Sequence, residues 1–256
     1  QSLGLLADGF ADAALVRESL LAYAKAQNLE QIGAQGRLSD LRHVANLGTH
    51  QLHIIAAAEL ELTSVDQVRD LRIGVGSPRS EVPYVAQTLL DVAGLPVKKM
   101  DLRLIPDVEA ADQLSRGELD GFIYIGNIKT RFVADLLESG VAQEVNLPDA
   151  LMDGLAGRIS GTYKITLPSR DDSGAWIEYL AFPVSLVVNR KTGPILVNNV
   201  LNSIWWDGNQ TILGQGGLGP LSHDRAFELM QLPLHEGAGL YFVDHGGIPR
   251  GVMVAP

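Results

Sequence analysis

The chain has 256 residues, 46% of them apolar and 20% charged, with a formal net charge of −10 and no cysteine. That length holds one large domain or two ordinary lobes, and the apolar fraction excludes a disordered chain. The acidic balance argues against nucleic acid as a partner, since no Lys/Arg run exceeds Lys98-Lys99; the lack of cysteine excludes disulfides, thiolate nucleophiles and Cys-based zinc sites.

The chain opens on a phrase that it later repeats. In "LGLLADGFADAALV" it is Leu6, Gly9, Asp12 and an apolar run; in "DQLSRGELDGFIYIG" it is Leu114, Gly117, Asp120 and another. A helix that stops at a left-handed glycine before a buried strand writes this pattern. "SLGLLADG" is only the tail of such a helix. A preceding strand and most of a helix are therefore expected to be missing from the front. No signal peptide opens the chain and no apolar stretch is long enough to span a bilayer, so an exported protein is expected here in processed form. The absence of cysteine suits an oxidising compartment such as a periplasm.

Further along, "HQLHIIAAAE" (His50–Glu59) reads as a long apolar strand and "LRIGVG" (Leu71–Gly76) as a short one. "SEVPYVAQTLLDVAG" predicts a helix capped by Ser80, with Pro83 in its first turn, a face of Val85, Leu89 and Val92, and a stop at Gly94. After the strand "GFIYIG", "NIKTRFVADLLESG" predicts a helix capped by Asn127, striped by Ile128, Phe132 and Leu136, and ended by Gly140. "YLAFPVSLVVN" (Tyr179–Asn189) is a second long strand, which Pro183 places on an edge or at a bend. "PILVNNVLNSIWW" and "SHDRAFELMQL" read as helices joined by the loop "GQGGLGP". Strands alternating with helices predict an α/β fold with a largely parallel sheet. The two long strands are read as crossings between two lobes: a discontinuous lobe I of residues 1–54 and 184–256, and lobe II of residues 55–183.

In open parallel sheets a ligand sits beyond the carboxyl ends of the strands, against helix N-termini that offer unpaired N–H groups and partial positive charge. The turns "GVGSPRSEV" and "YIGNIK" are two such places, each suited to a carboxylate or phosphate. They nominate Ser77, Arg79, Ser80, Gly126 and Asn127 as ligand-binding residues, with Lys129 as a second source of charge. Thr49, His50 and Ser185 join them from the crossing strands. The alternative for Ser80 and Asn127 is a plain capping role.

Other chemistry is not visible. Gly214, Gly216 and Gly219 match G-x-G-x-x-G but follow no clear strand and precede Pro220, so they read as a loop. His43, His50 and His53 lack metal-ligand spacing, no Ser sits in a G-x-S-x-G elbow, and Asp12 and Asp120 read as partners of nearby backbone N–H groups. No enzyme, cofactor or metal is expected.

With these residues assembled, the chain resembles the TAXI family of solute-binding proteins, the extracytoplasmic receptors of one class of TRAP transporters. The similarity runs in order through "LADGFADAALV", "LRIGVGSPRSEVPYVAQTLLDVAG", "LSRGELDGFIYIGNIKTRFVADLLESG", "YKITLPS" and, most specifically, "LPLHEGAGLYF" (Leu232–Phe242), close to the family's P-x-H-P-G-A with paired aromatics. The resemblance implies a type II periplasmic-binding-protein fold with two lobes, two crossing strands and a cleft that captures a small organic acid (a dicarboxylate or amino acid, for example) for a TRAP membrane permease. A sensing domain of the same fold in a signalling protein is the alternative. The family's G-S-G-T turn departs here: Ser80 matches its Ser, but Glu81 and Val82 replace Gly and Thr, and Glu81 opposes an anion at that helix start.

Overall fold

The structure is a computed structural model that describes residues 2–27, 35–169, 174–206, 209 and 222–255. In chain order its elements are α1 (Ser2–Ala7), β1 (Ala13–Arg17), α2 (Glu18–Gln27), β2 (Leu41–Ala57), β3 (Arg72–Gly74), α3 (Val82–Val92), β4 (Asp101–Arg103), α4 (Asp107–Ser115), β5 (Gly121–Gly126), α5 (Arg131–Glu138), β6 (Ala142–Val145), α6 (Asp149–Ala156), β7 (Tyr163–Pro168), β8 (Trp176–Asn189), α7 (Pro194–Ile204), β9 (Leu234–His235), α8 (Glu236–Asp244) and β10 (Val254–Ala255). The glycine-rich loop with Gly214, Gly216 and Gly219 lies outside the described residues.

The chain divides into two compact units, Gln1–Thr49 with Pro183–Pro256, and His50–Phe182. The long strands β2 and β8 run from one unit into the other. Both copies of the repeated phrase are a helix, a glycine at positive φ and a strand: α1, Gly9 at +78° and β1 in the first, and α4, Gly117 at +71° and β5 in the second. Only glycine enters that conformation without a Cβ penalty, which is why both helices end there.

The unit of residues 50–182 is built on β5, whose six residues are all buried. Parallel β3 lies on one side of it and antiparallel β2 on the other, with β4 parallel to β3 beyond. Strand alternation sends Ile123 and Ile125 to one face, against Leu52 and Ile54 of β2, the Val85–Leu89 face of α3, and Leu151 and Leu155 of α6. Phe122 and Tyr124 go to the other face, against Ala110, Ala111 and Leu114 of α4 and Val133 and Leu136 of α5. A sheet covered on both faces requires an apolar strand without polar alternation, as "GFIYIG" is.

In the other unit, β1 pairs antiparallel with β8, and its inward residues Ala14 and Val16 pack with Leu3, Leu6, Leu21 and Val187. A separate cluster joins Val44, Val197, Leu201, Leu234, Tyr241 and Phe242 between β2, α7 and α8. The motif "LPLHEGAGLYF" forms the start of α8. Nδ1 of His235 accepts the Gly237 N–H at 3.1 Å and caps the helix, while Nε2, which carries the hydrogen, donates to the Thr192 carbonyl at 3.0 Å. A Cβ on Gly237 would lie 2.2 Å from the Pro194 carbonyl oxygen, so the glycine lets α8 approach the start of α7.

Three expectations change. The sheet is mixed rather than largely parallel: β1–β8, β2–β5, β2–β6 and β7–β8 are antiparallel pairs. The strands that cross between units pair without the helical crossover that a parallel neighbour needs. Next, "SHDRAFELMQL" is not a helix but one 3-10 turn, His223–Arg225, followed by turns with Leu229 at φ +52°. Buried groups of β2 hold its carbonyls away from a helical ladder: Asn46 donates to Arg225 O at 3.1 Å and Glu228 O at 2.7 Å, and His43 Nε2 lies 2.8 Å from Ala226 O. Finally, the N-caps are Glu81 and Thr130, not Ser80 and Asn127.

Asp120 does more than bond a local backbone. It accepts the Arg72 N–H at 2.7 Å and a two-pronged guanidinium contact at 2.9 and 2.6 Å, which ties the entry of β5 to that of β3. Hydrogen bonding to Arg72 holds its carboxyl below the usual carboxylate range. This contribution is present above that range and is lost as pH falls through the folded value. Asp120→Asn is expected to cost about 1 kcal/mol near neutrality, because Arg72 is partly exposed. Urea titrations at stepped pH should show the deficit closing in acid.

Burial lowers the His235 pKa, against opposing influences of Thr192 and Glu236. Stability tied to its neutral form is therefore full above the ordinary imidazole value and declines as pH falls below it. Replacement by Asn, which caps without titrating, should flatten the dependence of melting temperature on pH between neutrality and mild acid; an unchanged slope would contradict the assignment.

Candidate functional site

Parallel pairing of β3 with β5, Ile73 with Gly121 and Gly74 with Phe122, brings the exits of both strands to one end of the sheet. The turn into α3 and the turn into α5 therefore lie at the same end. Antiparallel β2 reaches that end from the opposite direction, with Gln51 opposite Gly126. His50 precedes Gln51 on the strand. This end collects Ser77, Arg79, Ser80, Gly126, Asn127 and His50. The opposite end holds Arg72 with Asp120 and Arg103 with Asp101.

The α3 turn is drawn tight by its serines. The Ser80 N–H and hydroxyl both donate to the Ser77 carbonyl, at 3.0 and 2.8 Å, and Ser80 Oγ lies 3.4 Å from the Val82 N–H. Gly76 sits at φ +78°, where a Cβ would lie 2.6 Å from that of Val82. Ser77 and Ser80 are half-buried and Arg79 is exposed. Glu81, the N-cap, is 1% exposed, so this helix start already has an acidic side chain packed beside it.

The α5 turn is organised from beneath. Asn127 Oδ1 accepts the Lys129 N–H at 2.8 Å and its carbonyl accepts the Thr130 N–H at 2.9 Å. Tyr124, two residues before the end of β5, directs its hydroxyl to Thr130 Oγ1 at 3.0 Å, with Asn127 O at 3.4 Å. A Cβ on Gly126 would lie 2.0 Å from that hydroxyl oxygen, so glycine is required there by space. No acidic residue lies in the first turn of α5, and Lys129 and Arg131 flank its start. Of the two turns, this one suits an anion better.

Behind the turn stands an arrangement that sequence spacing does not disclose. His53 is 2% exposed, stacked on Tyr124 with ring centres 5.9 Å apart and edge-on to Tyr179 at 5.4 Å. Its Nδ1 meets Glu144 Oε1 at 2.5 Å. The one local signal is Tyr124 itself, since a tyrosine in a fully apolar strand must find a partner for its hydroxyl. Among the described residues no group of three or more His, Cys, Asp or Glu side chains is placed to hold a metal ion, and no helix is long and apolar enough to cross a membrane.

Thr49 and His50 are half-buried residues of β2 on either side of the boundary between the units. Ser185 has no exposure. Its hydroxyl contacts Glu18 Oε1 and Asn46 Oδ1, inside a network completed by His43 Nδ1, 3.2 Å from Glu18, and by the Gln231 N–H, which donates to Glu18 at 2.8 Å. The structure thus gathers six of the eight nominated residues at one end of the 50–182 sheet, leaves Thr49 one step along β2, and puts Ser185 in the interior of the other unit.

Comparison with known proteins adds a family and a fold. The model of the NMT1-like family matches residues 1–246. Two solved structures align with a TM-score of 0.50. One is an ancestral arginine-binding protein bound to arginine, 12% identical, with 86% of this chain and 78% of that one covered. The other is Tv2483 bound to L-arginine, 11% identical, with 88% and 72% covered. The alkanesulfonate-binding protein SsuA from Xanthomonas axonopodis pv. citri bound to MOPS aligns over 99% of this chain and 82% of its own, at 17% identity and a TM-score of 0.49. The fold is the α/β periplasmic-binding-protein fold that the family resemblance implied, with a sheet that is mixed rather than largely parallel.

The single hydrogen of the Ser185 hydroxyl goes to one of the buried oxygens Glu18 Oε1 and Asn46 Oδ1, and removing the hydroxyl leaves that oxygen short of a donor. Ser185→Ala is expected to destabilise the protein by about 1–3 kcal/mol, read as a lowered urea midpoint.

Proposed function

The chain belongs to the NMT1-like family, and from that premise we propose that it is a periplasmic solute-binding receptor, not an enzyme, that captures a small organic acid for a membrane transporter. One observation carries this reading most: the register of β3 with β5 puts two glycine-bearing turns, each leading into a helix, at one end of one sheet. A carboxylate is held at the start of α5 by first-turn N–H groups, with Lys129 and Asn127 beside it. The α3 turn supplies the hydroxyls of Ser77 and Ser80 and the charge of Arg79. Glu81, buried at that second helix start, favours a donor group of the ligand there over a second carboxylate. Gly126 allows close approach of the backbone, and Thr49 and His50 complete the site from β2.

The resemblance of Leu232–Phe242 to the TAXI receptors favours a TRAP-type permease as the partner. The same resemblance, together with the lack of cysteine, supports a periplasmic location.

Native mass spectrometry of the purified protein should reveal a co-purified acid, and calorimetry with succinate and L-glutamate tests the class directly. Ser80→Ala is expected to weaken binding about tenfold, the size of one hydrogen bond to a charged group, while melting temperature falls by less than about 2 °C. Unchanged affinity would leave Ser80 as a turn residue alone. A bare protein spectrum together with no response to either acid would overturn the reading.

A further inference from the structure

The unit of residues 1–49 and 183–256 carries an exposed apolar face on α7 and α8. The two helices run side by side in the same direction. Their starts meet where Gly237 comes up to the Pro194 carbonyl. Their ends meet where Trp205, just past α7, lies 5.9 Å from the Tyr241 ring and 5.8 Å from the Phe242 ring. Val197 and Leu201 of α7 turn inward to the same cluster as Ala238, Tyr241 and Phe242 of α8, so the opposite faces form one surface. On it stand Ile195, Leu196 and Val200 from α7, and Leu240 and Val243 from α8; Ile195 is 78% exposed and Val243 66%. A surface helix ordinarily sets charged residues on this side. α7 has none, and α8 has none between Glu236 and Asp244. Charge returns at the two ends: Lys191 and Glu236 at the shared start, Asp244 and His245 past the other end. All of these are exposed, and among the described residues Lys191, Glu236 and Asp244 are in no ion pair.

We propose that two copies of the chain pair through this face, across a two-fold axis perpendicular to α7 and α8. Each copy has a net charge of −10, so the acidic surface as a whole repels a second copy, and approach is easiest over ground without charge. A two-fold contact sets a patch against its own image, so the patch must be complementary to itself. Apolar side chains meet that condition. The charged ends meet it only when the helices of the two copies run antiparallel: Lys191 then faces the partner's Asp244, and Glu236 faces the partner's His245. A parallel arrangement would set Lys191 against Lys191 and Glu236 against Glu236. Two helices of this length side by side offer about 300 Å², below the roughly 800 Å² per partner of a stable interface. The pairing is therefore weak and depends on concentration. It is independent of the carboxylate reading, because the residues nominated from the α3 and α5 turns belong to the other unit.

Sedimentation velocity of the chain between about 10 μM and about 1 mM should show a monomer–dimer equilibrium. Val200→Glu and Leu240→Glu, both on the exposed side of their helices, should each raise the dissociation constant about tenfold or more and leave the melting temperature nearly unchanged. Lys191→Glu and Asp244→Lys should each weaken pairing about fivefold on their own, because like charges then face each other across the axis. An equimolar mixture of those two variants should dimerise again, since each copy then meets opposite charge at both ends. A chain that stays monomeric at the highest concentration overturns the proposal, and cosedimentation of that monomer with phosphatidylcholine vesicles would assign the face to a lipid surface instead. A dimer that Val200→Glu and Leu240→Glu leave intact, or a mixture that pairs no better than its components, overturns it as well.

Discussion

Pro183 has no backbone N–H to give to a neighbouring strand. It lies on β8 between Ala181, where pairing with β7 ends, and Val184, where pairing with β1 begins. The missing donor thus falls in the interval between those two registers. The same residue is the first of its segment in the unit of residues 1–49 and 183–256. A long strand that serves two units must change partners somewhere, and the change is made where the chain can least offer a hydrogen bond. β2 changes partners too, meeting β9 at His43 and then β5 and β6 from Gln51 onward. The unit of residues 50–182 is one continuous segment that holds one end of each long strand, whereas the other unit is assembled from two separate segments that hold the remaining ends.

Within the 50–182 unit the sheet has two chemically different ends. At the strand entries Arg72 pairs with Asp120 and ties β3 to β5, while Asp101 at the start of β4 pairs with Arg103 at the end of the same strand. At the exits the chain turns through Gly76 and Gly126 into helix N-termini, with serines, an asparagine and exposed basic residues around them. Paired charge at one end and oriented backbone N–H groups at the other follow from strand direction alone, since parallel strands present all their exits together. Tyr124 joins the core to the second of these ends: its ring belongs to the packed face beneath α4 and α5, and its hydroxyl belongs to the turn.

The parts that could be read from the chain are those with a local cause. Gly9, Gly94, Gly117 and Gly140 stop helices because a residue just past a helix end adopts positive φ. "GFIYIG" reads as a buried strand because it is apolar throughout except for the single hydroxyl of Tyr124. The parts that could not be read depend on distant partners. Residues 222–232 have a helical pattern, but Asn46 and His43, far away in sequence, take the carbonyls that a helix would use. Ser80 and Asn127 have the right chemistry for N-caps, yet their turns close on Ser77 and Lys129 and move the helix starts to Val82 and Arg131. Ser185 resembles a polar residue on a crossing strand, and only the packing of Glu18 and Asn46 around it reveals an interior position.

By itself the sequence determined the α/β class, the places where helices stop, the two long strands and the glycine turns, because each follows from backbone sterics or from the period of apolar residues. Tertiary structure alone decided the mixed direction of the sheet, the pairing of Arg72 with Asp120 and the buried contact of His53 with Glu144. It also decided that the Thr130 oxygen meets the Tyr124 hydroxyl. Those outcomes depend on which strand lies beside which, and a hydrogen bond between residues far apart in the chain leaves no periodic trace within it.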